Sequence, residues 1–255
     1  MNVHNTGFNK RRRDIPPLKA AFMRARKAET QFAIRLRKIA SHIGDIVRGF
    51  DPSTSDGWIQ MHAALDRYAQ LIEPWARAVA NRMITEVAAR DKQTWREVSA
   101  QMGRALHQEI EYAPIGATMQ QLLQEQVHLI KSLPLDAAQR VHELTIEGIQ
   151  QGTRAKDIAA EIMRTGEVSK SRATLIARTE VGRTATALTQ ARAQFVGSEG
   201  YTWATVRDSD VRPSHKKMEG KFVRWDNPPT LDNMTGHAGA LPNCRCVPLV
   251  VIGSD

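Results

Sequence analysis

Gly200-Tyr-Thr-Trp-Ala-Thr-Val-Arg-Asp208 alternates apolar and polar side chains, the period of a half-buried strand. Before Gly197 the chain reads mostly in steps of three and four, the period of a helix. The change of period near Gly197 decides the fold class: helices first, then a small strand-bearing end. Downstream, Lys221-Phe-Val-Arg-Trp225 and Cys246-Val-Pro-Leu-Val-Val-Ile252 are two further strand candidates. Between them residues 226–243 are rich in Pro, Gly, Asn and Asp and read as a long loop, a kind that is usually functional or held by something.

Upstream, a long helix is expected over about 169–196, with Ser169 as its N-cap and many Ala, Thr and Arg residues that allow close packing. Shorter helices are expected at about 104–111, 116–131, 135–150 and 154–164, with Gly152 and Gly166 as stops. Trp95 and Val98 mark another piece ending near Gly103. Pro74 should break or kink the pattern carried by Trp58, Met61, Leu65 and Tyr68 before it, and by Val79, Met83 and Val87 after it. Residues 49–57 are a loop by composition. Phe32, Leu36, Ile39, Ile43 and Ile46 form an a/d seam on a first helix that runs to about Val47, with Pro16 and Pro17 in its first turn. The chain is therefore expected to be mainly α with a small C-terminal α+β domain. A basic flexible arm covers 1–14, a helical body 15–150, and a long helix with a small β cap 151–255.

Of the 255 residues, 42% are hydrophobic, enough for a core. No run approaches the roughly 18 apolar residues of a spanning helix, so no membrane partner is expected. The polar, basic start is unlike a signal peptide, which points to a protein made and used in the cytoplasm or packed into a particle assembled there. The net charge of +9 sits entirely in the first forty residues, which hold 11 basic and 2 acidic side chains, while the rest holds 25 of each. The densest block is Lys10, Arg11, Arg12 and Arg13. Such an arm suits a polyanion such as DNA, or an acidic protein face. The two cysteines, Cys244 and Cys246, are too close for an unstrained disulfide, which leaves a metal site or two ordinary thiols.

Three pieces recur in order toward the C-terminus. They are Ile176-Ala-Arg-Thr-Glu180, then Asp208-Ser-Asp-Val-Arg-Pro-Ser-His215 with Met218-Glu-Gly220, then Leu241-Pro-Asn-Cys-Arg-Cys246. The series resembles the Mu F-like head morphogenesis family of phage minor capsid proteins, over about 152–252. The resemblance makes Arg178, Thr179, Glu180, Asp208, Arg212, Gly220, Asn243 and Arg245 the structural motif. Arg178 and Glu180 then read as ion-pairing residues, and Trp203 and Trp225 as core. Many members carry a Cys-x-x-Cys pair in the Asp-turn and a His ahead of the closing run, a plausible tetrahedral zinc set. Here those positions are Arg212, His215 and Leu241. The resemblance thus implies a structural zinc on His215, Cys244 and Cys246, with His237 as a fourth ligand from the loop. The alternative is a metal-free fold in which Arg212 pairs with Asp208 or Asp210.

The resemblance also implies a virion protein of a tailed phage or prophage, present in few copies and assembled in the host cytoplasm. It would act in head assembly near the portal, with the portal protein, other head proteins and packaged double-stranded DNA as partners. The basic arm fits that setting independently, since packed DNA is a dense phosphate field. Two rivals remain. Asp208, Asp210 and His215 could form a nuclease-like cluster, although the chain is expected not to be an enzyme: some family members are fused to toxin-like enzymatic domains, and this sequence ends nine residues past Cys246. The other rival is a non-specific DNA-binding module, without a groove-reading motif.

Overall fold

The computed structural model describes residues 16–99 and 113–252. The basic block at Lys10, Arg11, Arg12 and Arg13, the helix expected at 104–111 and the stop expected at Gly103 lie outside those residues. Among the described residues, six long or medium helices come first: α1 (Pro16–Arg48), α2 (Ser55–Leu71), α3 (Glu73–Ser99), α4 (Gly116–Gln150), α5 (Ala155–Met163) and α6 (Thr165–Phe195). The C-terminal cap follows with β1 (Gly200–Ala204), α7 (Pro213–Lys216), β2 (Phe222–Arg224), β3 (Thr230–Leu231), β4 (Met234–Thr235) and β5 (Val247–Val251). The expected class, mainly α with a small strand-bearing end, is the one observed. No described helix is long and apolar enough to cross a membrane.

On α1, Phe32, Leu36, Ile39 and Ile43 are buried as the seam requires. The stripe then drifts to Val47, with Ile46 half-buried beside it. A straight helix of 3.6 residues per turn cannot keep a strict 3.5 repeat, so the buried line moves one position on. The loop after α1 is shorter than 49–57. Thr54 caps α2 by accepting the Gly57 N–H at 3.1 Å, and Trp58 Nε1 reaches back to the Pro52 carbonyl at 2.6 Å. Pro74 does interrupt the pattern: α2 ends at Leu71 and α3 begins at Glu73, with Ile72 between them. No interruption occurs at Trp95, which belongs to α3.

Three expectations fail for physical reasons. Pro134 does not divide α4, which runs unbroken from Gly116 to Gln150. An interior proline costs about 3 kcal/mol, but Ile130, Leu133, Ala137, Ala138 and Val141 on either side of it are buried. Each large aliphatic among them contributes about 1.5–3 kcal/mol. Gly166 is not a stop and Ser169 is not an N-cap; both lie buried inside α6, which starts at Thr165. Gly166 is needed for contact instead, because a Cβ there would sit 2.9 Å from the Gly44 Cα of α1. Gly152, by contrast, follows α4 at φ +65° as a helix-ending glycine does.

Helix α6 packs against α1, α3 and α4 and is the axis of the body. In the cap, β1 lies between β2 and β5, antiparallel to both, with Tyr201 opposite Val223 and Val250. The long 226–243 segment contains a small hairpin of β3 and β4, turned by Asp232 and Asn233 at φ +52° and +61°. Positive φ at both central residues is the type I′ geometry that suits tight hairpins. A second core gathers Tyr201, Trp203, Val223, Trp225 and Leu241 with Trp95 of α3 and Ala193 of α6, so the cap is built onto the helices.

Candidate functional site

The motif on α6 is a junction. Arg178 pairs with Glu29 of α1 at 3.1 Å. Thr179 Oγ1 accepts the Asn243 N–H at 3.2 Å. Glu180 is buried and accepts from Gln126 Nε2 of α4 at 2.6 Å. Burial pushes the Glu180 carboxyl above its ordinary value, against the pull of Gln126 and Arg183. One turn on, Gly182 lets the loop approach: a Cβ there would meet the Gly239 carbonyl at 2.7 Å. Thr186 then donates to the Ala238 carbonyl at 2.7 Å. The sequence reading did not single out Gly182, Thr186 or Gly239. Glycine inside a helical run was the available signal.

The Asp-turn and the closing run face each other. Arg245 binds Asp208 through both oxygens, at 2.9 and 3.1 Å, and Asp210 at 2.9 Å. The lock on this turn is therefore Arg245 rather than Arg212. In an extended run alternate side chains face opposite ways; Cys244 and Cys246 turn inward, and Arg245 is left facing the aspartates. Arg212 reaches the Pro242 carbonyl at 2.9 Å and lies 3.8 Å from Asp232. Gly220, at φ +81°, donates to the Trp203 carbonyl at 2.8 Å and closes the turn into β2. Trp203 and Trp225 are core residues, as expected.

Three of the four proposed ligands come together. His215 Nδ1 lies 3.4 Å from Cys244 Sγ and 3.6 Å from Cys246 Sγ, and the three donor atoms are within 4.8 Å of one another. All three residues are buried. A tetrahedral zinc with Zn–S of about 2.3 Å and Zn–N of about 2.0–2.1 Å separates N and S donors by about 3.6 Å. The donor set fits such an ion in three positions. His237 is placed elsewhere: its Nδ1 is 3.3 Å from the Tyr201 hydroxyl and its ring stands edge-on to Trp225. Burial pushes the His237 imidazole down and the Tyr201 phenol up. The Cys246 hydrogen bond holds Cys244 down, to about 5, against burial; the same bond and burial push Cys246 up. Cys244 Sγ also accepts the Gly239 N–H at 3.4 Å, so the cluster and the loop on α6 are one unit.

A helical body whose long axial helix clamps a small sheet cap, pinned by a buried Cys-Arg-Cys and a histidine, is the class these features define. Residues 139–249 match the family described as Phage Mu protein F like protein. The match begins within α4, upstream of the 152 read from the motifs. The chain is similar to an uncharacterized protein of Haemophilus influenzae, 35% identical over 51% of this chain and 28% of that protein. It is also similar to an NAD(+)–arginine ADP-ribosyltransferase of Enterococcus faecalis, 31% identical over 46% of this chain and 26% of that one. The minor head protein GP7 of Bacillus phage SPP1 is 26% identical over 54% of this chain and 46% of its own length. The matches thus span less than half of each relative. No solved structure matches the chain.

Proposed function

We propose that the protein is a minor head protein of a tailed phage or prophage, acting in head assembly. The observation that carries this reading is the family match over residues 139–249, together with the similarity to a phage minor head protein. In this reading the helical body and cap form a rigid unit that docks on other head proteins, the portal among them. The basic arm faces the packaged DNA, whose phosphates it neutralises. The residues of the motif are structural: Arg178, Thr179 and Glu180 join the cap to the body, and Asp208 with Arg245 closes the turn over the cysteines. Mass spectrometry of purified proheads and mature particles tests it. The protein is expected in one or both at low copy, and absence from both overturns the reading.

The similarity to an ADP-ribosyltransferase favours no enzymatic reading of this chain, since it covers 26% of that protein. The nuclease-like reading needs Asp208, Asp210 and His215 to converge on one metal. The two aspartates instead bind Arg245, and His215 turns to the thiols.

A further inference from the structure

We propose that His215, Cys244 and Cys246 hold one thiophilic divalent cation of the zinc class through three protein bonds, with the fourth position left to a water or small anion. The separations of 3.4 and 3.6 Å between imidazole nitrogen and sulfurs lie close to the roughly 3.6 Å edge of a zinc tetrahedron. Among the described residues, the side chains nearby that could close the tetrahedron are engaged elsewhere. His237 is turned to Tyr201 and Trp225. Asp208 and Asp210 are held by Arg245. Glu219 accepts the Thr205 N–H at 2.6 Å and pairs with Arg207 at 2.9 Å. Arg212 has no lone pair to give, and Leu241 is an apolar core residue.

The cluster itself lines a small opening of about 10 Å3, together with Asp210, Arg212, Asn243 and Arg245. That is room for one water-sized ligand. A metal centre with three protein ligands and one exchangeable position is the open form of zinc coordination, whereas a four-ligand centre is closed. In this chain the ion fastens α7 to the closing run, and through Cys244 and Gly239 it fixes the loop that lies on α6. The inference stands apart from the head-protein reading, because it concerns only these side chains.

The test uses the full chain grown with cobalt(II) in place of zinc, which avoids stripping and refolding. About one metal per chain is expected, with thiolate-to-cobalt absorption and visible bands of four-coordinate strength. Adding azide is expected to shift the visible bands, and His237→Ala is expected to keep both the metal and the shift. Three results would overturn the proposal. One is a folded chain without metal whose two thiols are free. Another is a cobalt spectrum that azide does not move, which marks a closed centre. The last is loss of metal in His237→Ala with the helical signal intact, which makes His237 the fourth ligand.

Discussion

Thr179 Oγ1 accepts the backbone N–H of Asn243, joining the axial helix to the closing loop across 64 residues of sequence. Its neighbours Arg178 and Glu180 point elsewhere, to Glu29 of α1 and Gln126 of α4. Successive residues of a helix project roughly 100° apart. Three consecutive polar residues can therefore serve three different elements. The Ala-Arg-Thr-Glu run is a distribution point for packing, and its chemistry is that of hydrogen bonds and an ion pair.

Two substitutions on this face should differ in size. Thr179→Val keeps the shape and removes one acceptor at an exposed contact, a loss of about 0.5–1.5 kcal/mol. Gly182→Ala places a methyl 2.7 Å from the Gly239 carbonyl, where neither backbone can yield cheaply. Forced displacement of that kind costs about 1–3 kcal/mol. Urea unfolding of both variants checks the order. If Gly182→Ala is as stable as the parent chain, the loop does not lie on α6 as described.

Glu180→Gln is expected to stabilise the protein at neutral pH. Burial raises the Glu180 carboxyl above its ordinary value of 4.5. A raised acid binds its proton more tightly folded than unfolded, so its contribution is largest below pH 4.5 and is lost as pH rises through the folded value. Glutamine removes that loss. Its amide can also donate to Gln126 Oε1, which is buried without a partner among the described residues. One new buried hydrogen bond is worth about 1 kcal/mol. Unfolding measured from pH 4 to 8 should show a gain at neutral pH and a flatter slope. A variant less stable than the parent chain at pH 7 would mean that the carboxylate is needed for Arg183 and the charged network.

How much of this was legible in the sequence depended on whether a feature was local. The seam of α1 and the strands around Tyr201 and Val223 follow periodicity, which local sequence carries. The break expected between 131 and 135 and the stop expected at Gly166 did not read correctly, because both depend on partners far away: the core around α4 overrides the proline there, and Gly44 explains the glycine. Within the site, the resemblance grouped His215, Cys244, Cys246 and His237 as ligands, and the fold brings the first three within 4.8 Å of one another but not His237. That Arg245 rather than Arg212 binds the aspartates follows from the facing of one extended run, which spacing alone did not reveal.

Asp91 and Arg192 form a buried pair at 2.7 Å between α3 and α6, and Thr189 donates to the same carboxylate at 2.7 Å. Burial pushes the Asp91 carboxyl up, against the pull of Thr189 and Arg192. Arg192→Met should cost about 3–5 kcal/mol, because it strands a buried carboxylate. Asp91→Leu combined with Arg192→Met should cost clearly less than Arg192→Met alone, since the Asp91 carboxylate is no longer stranded. Thermal unfolding of the single and double variants decides this. A double variant that loses the sum of both singles would show that the two residues act independently.

The last expectation concerns residues 10–13, where the sequence is most basic. Neutralising a phosphate releases condensed counterions, and log K falls against log salt by about 0.9 per contact on duplex DNA. If about half of the eleven basic residues in the first forty engage, the slope should be about −5. Of those eleven, Arg37 already donates to Thr174 on α6 at 3.2 Å, so the later residues are partly committed to the fold. Replacing Lys10, Arg11, Arg12 and Arg13 with glutamine should therefore reduce the slope by about 3–4 and weaken binding to all duplex sequences alike. Filter binding or anisotropy across a salt series measures both quantities. An unchanged slope and affinity would remove DNA as the partner of this block. Loss of portal association in the same variant would then assign the block to an acidic protein face.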